Sequence, residues 1–190
     1  MGDCREAHED AGGNRHNHDD CEGCEECGGH SLFGFIDTTR VRCLNESTPG
    51  SVLRCIKPWT RRRELEPCLE SNDDDPQLII HVPFTQVVKI KAINVVGGRG
   101  GTAPAILRVW VNRDDVDFSN AEDLPPLQTI ELANSDAVAA SGAADSAMDY
   151  PTKVNKTQNV SSIALFVPEN YGADQTCISF LGFKGETTNV

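Results

Sequence analysis

Several absences bound what this 190-residue chain can be. No run of about 20 apolar residues occurs, so no helix is expected to span a bilayer. Basic charge is scarce. Seventeen Lys and Arg face 29 Asp and Glu, leaving a net charge of -12 and a pI near 4.7. Nucleic acids and anionic membrane surfaces select a net basic face, so neither is expected as a partner. Aromatics make up only 6% of the chain. The opening "MGDCREAHEDAGG" lacks the basic start and apolar core of a secretory signal. It begins Met-Gly, but Glu6 stands where a myristoylation signal needs Ser or Thr, so an unmodified N-terminus is expected. Beyond the first 31 residues histidine is reduced to His81. A Ser-His or Cys-His catalyst would have to use that one ring. No G-x-S-x-G, H-E-x-x-H or P-loop is present, and no enzyme is expected.

Eight cysteines are present. Without an export signal they are expected as thiols in a reducing compartment. Cys43, Cys55, Cys68 and Cys177 stand apart and are read as small hydrophobes. The others lie near the N-terminus, where "CEGCEECGGH" sets Cys21, Cys24, Cys27 and His30 at three-residue intervals. Thiolates at C-x2-C spacing reach one zinc tetrahedron, and these four residues could close it, with His16 or His18 as substitutes. The two knuckles of a structural zinc site are normally separated by a folded insertion, which is missing here. The expectation is therefore a tail with adventitious zinc affinity and no true cofactor. Elemental analysis decides the matter, since a closed site would hold far more than about a tenth of a zinc per chain. Cys24 and Cys27 also lack the strand and helix that lower a redox-active thiol's pKa, so a thioredoxin-type catalyst is not expected. Three N-x-S/T sequons, at Asn45, Asn155 and Asn159, read as chance matches.

Two regions follow from composition. Residues 1–31 hold nine acidic side chains against Arg5 and Arg15. With little to bury, this segment is expected as a disordered acidic His/Cys-rich tail. Residues 32–190 are read as one β-sandwich domain. "LIIHVPF" (78–84), "VVKIKAINVV" (87–96), "ILRVWV" (106–111), "LQTIEL" (127–132), "VSSIALFV" (160–167) and "CISFLGF" (177–183) have strand length, β-branched content and period-two alternation. "PFTQ", "GGRGG", "NRDD" and "PENYGAD" read as the turns between them. No long amphipathic helix pattern appears. Antiparallel sheets packed face to face, as a β-sandwich of jelly-roll type, are expected. "CLESNDDDP" (68–76) reads as an acidic turn, and "ANSDAVAASGAADSAMD" (133–149) as a surface loop, because its Ala and Ser form no apolar stripe.

One basic patch stands out. "KPWTRRR" surrounds Trp59 with Lys57, Arg61, Arg62 and Arg63. Trp and Arg are enriched at binding hot spots, so these five residues are the expected partner-binding surface. The plainer alternative is a solvated, self-neutralising charge run. In "ENYGAD" (169–174), Asn170 and Gly172 suit positions of positive φ, and a purely structural role suffices.

The blocks "CLNES" (43–47), "KPW" (57–59), Glu70 to Gly98 with its "LIIHVPFTQVVKIKAINVVGG", and "ENYGAD-T-ISFLGFKGE" (169–186) resemble the PITH domain, the proteasome-interacting domain of thioredoxin-like proteins. The likeness runs from about Leu32 to Glu186, and the Cys/His tail looks like the start of stand-alone PITH proteins. The resemblance implies a jelly roll similar to galactose-binding-like domains. It further implies association with the regulatory particle of the 26S proteasome, a cytoplasmic and nuclear location, and no catalytic residues. The thioredoxin domain and its W-C-x-x-C motif are missing, so redox activity does not carry over. Relatives commonly continue past "FKGE", so either this chain is shortened or its last strand is dispensable, which puts full sheet closure in question. A monomeric adaptor that docks through "KPWTRRR" is thus the leading expectation. The alternatives are a carbohydrate-type ligand module, using Trp59, Trp110, Tyr150 or Tyr171 as stacking platforms, and a metal-handling protein working through the tail.

Overall fold

The computed structural model describes residues 30–141 and 147–188. The metal set assigned to Cys21, Cys24 and Cys27 lies outside them. Among the described residues the sheet is antiparallel throughout and has nine strands. β1 (His30–Ser31), β2 (Arg42–Leu44) and β3 (Leu69–Glu70) are short. β4 (Leu78–Gly97) is the longest. β5 (Ile106–Val111), β6 (Gln128–Glu131), β7 (Asp149–Pro151), β8 (Val160–Val167) and β9 (Cys177–Thr187) follow. Two short α-helices interrupt them, α1 (Val52–Cys55) and α2 (Ser135–Ala140). No helix among the described residues is long and apolar enough to cross a membrane.

β4 organises the whole. Its first half pairs with β2 on one side and β8 on the other, and β8 leads on to β5 and β6. Its second half pairs with β7 and β9, and β9 carries β1 and β3. "PFTQ" has the composition of a turn, but β4 runs straight through it. Pro83 has no N–H to give to a ladder. The β4–β8 register shifts between Pro83 and Val88, and there the strand passes from one layer into the other.

The sheet curls on itself, and its inner face holds the main core. Leu78, Ile80, Val82 and Phe84 of β4 meet Leu107 and Val109 of β5, Ile163, Leu165 and Val167 of β8, and Leu181 and Phe183 of β9. Each such side chain contributes about 1.5–3 kcal/mol by leaving water. Beyond Ile90 the alternation changes phase. Ile90 faces Gly185 and Ala92 faces Lys184, so Lys91 is an extra residue, and Ile93 and Val95 point inward in place of Ala92 and Asn94.

Both outer faces are also covered. Over the first layer, Ile79, Trp110, Ala164 and Phe166 pack against Val116 and Ala121. Trp110 is buried, and its Nε1–H donates to the Pro125 carbonyl at 3.2 Å. Over the second layer, Trp59 and Ala147 cover Phe180.

Two further expectations need correction. "ANSDAVAASG" is not wholly loop: α2 forms there, capped by the Asn134 side chain, which accepts from the Asp136 N–H. It buries none of its residues, so it left no apolar stripe to read. Gly172 does take positive φ (+106°), but Asn170 does not. Instead its amide donates to the carbonyls of Ala173 and Gln175 and its oxygen accepts from the Gly172 N–H.

Candidate interaction surface

"KPWTRRR" forms a cap across the outer face of β4 and β9. Pro58, with φ fixed near -55°, leads into a 3-10 turn over Trp59–Arg61. The turn points the indole inward onto Phe180, edge to face at 5.9 Å between ring centroids. Two cations lie over the same indole, the Arg62 guanidinium at 4.6 Å and the Lys184 ammonium at 4.1 Å from the ring centroid. Lys184 is tied to Asp149 at 2.9 Å. Asp149 also accepts from the amide of Asn94, which donates a second bond to the Met148 carbonyl. Lys57 closes the loop from below by donating to the Glu64 carbonyl at 2.8 Å.

This burial narrows the expected docking patch. Lys57, Trp59 and Arg62 are 5%, 8% and 3% exposed, so they build the cap and do not present it. Arg61 and Arg63 are exposed. The Arg61 guanidinium grips Glu64 at 2.6 Å, which holds the Glu64 carboxyl below its usual range. An exposed pair of this kind adds little stability.

Beside the cap lies a feature the sequence did not single out. A small open cleft, with about 30 Å³ of space that water can enter, lies between Leu65, Val96, Arg99, Val138, Met148 and Tyr150. Leu65 and Met148 are 42% and 44% exposed, unusual for large apolar side chains. The cleft draws on four distant segments, so no single stretch could reveal it.

The remaining chemically capable groups are withdrawn. His81 sits on the outer face of β4, with Nε2–H donating to the Val116 carbonyl at 2.9 Å and Nδ1 buried without a partner. Burial, and then the nearby Arg42 charge, lower its pKa. Burial raises the thiols of Cys43, Cys68 and Cys177, and that of Cys55 to about 12. They are therefore neutral near pH 7 and poor nucleophiles. All four are free thiols. His30, the fourth member of the expected zinc set, lies exposed in β1 opposite Gly185. Among the described residues no group of three or more His, Cys, Asp or Glu side chains could hold a metal ion.

His81 gives a pH prediction. Its folded-state pKa lies below the ordinary value of about 6.5, so the folded chain binds the proton less well than the unfolded chain. This contribution is complete above about pH 6.5 and is lost as pH falls toward the folded value. The melting temperature is expected to drop between about pH 7 and 5.5, and His81→Gln, which can still donate to Val116, should flatten that drop. Equal pH profiles for the two proteins would refute the assignment.

The curled antiparallel sheet, closed over one core and capped on both faces, defines the class: a galactose-binding-like β-sandwich. Its solved neighbours include the CBM32-1 and CBM32-2 domains of Clostridium perfringens ZmpB in complex with GalNAc. That likeness has a TM-score of 0.56 at 12% identity, and covers 81% of this chain and 35% of the other. The chain belongs to the PITH domain family, whose profile matches residues 22–190. It is 33% identical over 175 residues to PITH domain-containing protein 1 of Dictyostelium discoideum, covering 92% of this chain and 80% of the relative. To the protein of the same name from Homo sapiens it is 33% identical over 161 residues, covering 85% and 72%. Neither relative carries an enzyme's name.

Proposed function

We propose that the chain is a non-enzymatic, monomeric adaptor of the cytoplasm and nucleus that docks on the regulatory particle of the 26S proteasome. The observation that carries an adaptor role is the half-exposed apolar pair Leu65 and Met148, which line one cleft with Arg99, next to a cap that is fixed by the buried Trp59 and carries the exposed Arg61 and Arg63. Exposed apolar side chains together with arginines on a rigid frame are the residue types enriched at protein interfaces. The neutral thiols and the buried, hydrogen-bonded His81 support the non-enzymatic part. The proteasome as partner rests on membership of the PITH family. Both tryptophans are buried and only Tyr171 among the candidate platforms reaches 40% exposure, so sugar stacking has little to work with.

The test is affinity capture from cell lysate followed by mass spectrometry. Arg61→Glu together with Arg63→Glu is expected to lower recovery of regulatory-particle subunits by roughly tenfold or more, a hot-spot-sized loss. The melting temperature should barely move, because neither side chain is buried. Recovery at the wild-type level would remove this surface from consideration.

A further inference from the structure

We propose that the segment Asn134–Ser141 is an internal stand-in for a partner peptide. In the free chain it holds the polar half of a docking site whose true occupant is a segment of another protein carrying an acidic side chain and, two positions later, an aliphatic one. This rests on the adaptor reading above and names the chemistry the cleft selects.

The site has three parts: this segment occupies the first two and forms one wall of the third. The first is a pair of main-chain donors. The N–H groups of Gly100 and Gly101 point at the two carboxylate oxygens of Asp136, at 3.2 and 3.1 Å. A left-handed turn at Gly100 and Gly101, with φ of +67° and +82°, aims these successive amides at one carboxylate. A side chain at Gly101 would also press on the Tyr171 carbonyl at 3.2 Å. The second part is Arg99, whose guanidinium donates to the Ser135 carbonyl at 2.7 Å. The third is the cleft itself, which Val138 lines together with Leu65, Val96 and Met148. Amides and a guanidinium recognise a carboxylate and the chain that bears it, and the cleft recognises an aliphatic side chain.

The occupant is weakly held. α2 spans six residues, far short of the length at which a helix stands alone in water. None of its residues is buried, so its place depends on these polar contacts and on Val138. A tethered stand-in competes at an effective concentration in the millimolar range. If it fills the site 90–99% of the time, it weakens a partner's apparent affinity by about 10- to 100-fold.

The probe is the acetylated and amidated peptide ANSDAVAAS, which copies residues 133–141. It is titrated to millimolar concentration into the full 15N-labelled chain while the amide signals of Gly100 and Gly101 are followed. Against Asp136→Ala combined with Val138→Ala, which empties the site, the peptide should shift both signals and bind at least about tenfold tighter than it binds the wild type. A peptide with its Asp replaced by Asn and its Val by Ala should leave the signals in place. Asp136→Asn alone, a gentler change, should give an intermediate affinity if the double variant folds poorly. Equal affinity for wild-type and emptied chains, or no movement of either glycine signal in the well-folded variants, overturns the proposal. Proteasome capture plays no part in this readout, so the site and the identity of the partner can fail separately.

Discussion

Trp59→Ala is expected to destabilise the folded chain by about 3–5 kcal/mol, the range for removing a large buried aromatic. The indole is 8% exposed and is the keystone of the outer-face cap. Its removal uncovers Phe180, with which it makes the edge-to-face contact at 5.9 Å. It also takes away the surface on which Arg62 and Lys184 rest, at 4.6 and 4.1 Å. A desolvated cation over an indole adds about 1–2 kcal/mol. Urea unfolding of Trp59→Ala, Lys184→Ala and the double variant should give a coupling energy of roughly 1 kcal/mol between the two positions. A loss below about 1 kcal/mol for Trp59→Ala would mean that the cap is not packed as described.

Gly185→Ala is the second large effect. β9 passes so close to β4 at this point that an added Cβ would overlap the main-chain carbonyl oxygen of Lys89. No rotamer relieves a clash with backbone; the ladder itself must open. Ile90 pairs with Gly185, and Glu186 pairs with Lys89, so the damage falls where β4 and β9 join and where β1 is added to β9. A cost of about 3 kcal/mol or more is expected, beyond ordinary overpacking. Gly34→Ala is the control, because nothing lies within 4 Å of a Cβ there, and its effect should stay within about 0.5 kcal/mol. Matching melting temperatures for the two variants would contradict the close approach of β9 to β4.

The strands that a reader of the sequence finds most readily are those with one buried and one partly open face. β5 and β8 keep the bounds their alternation suggests, because neighbours on both sides hold them in register. β4 was harder. Proline and two polar residues look like a turn, and only pairing to β8 before them and β9 after them shows that the chain goes straight on. β1, β2 and β3 have two or three residues each, too few to carry a period. Trp59 was misleading in another way. Four cationic neighbours in sequence suggest an exposed side chain, but its real environment is Phe180 and Lys184, which come from β9. The stretch "CLNES" was recognisable as a motif without its reason being visible. Asn45, at φ 71°, donates to the carbonyls of Asp75 and Gln77 and accepts from Asn72, while Glu46 accepts from the N–H groups of Gly50 and Val52. Those partners are legible only in three dimensions.

The shared strand has a consequence for how the chain is made. β4 leaves the ribosome well before β8 and β9, the two strands that flank it over most of its length. Its apolar side chains must wait unpaired for that interval, since contacts this distant in sequence form late and slowly. During synthesis the nascent chain therefore carries a long sticky ribbon, a natural target for chaperones, until β8 and β9 arrive to cover it.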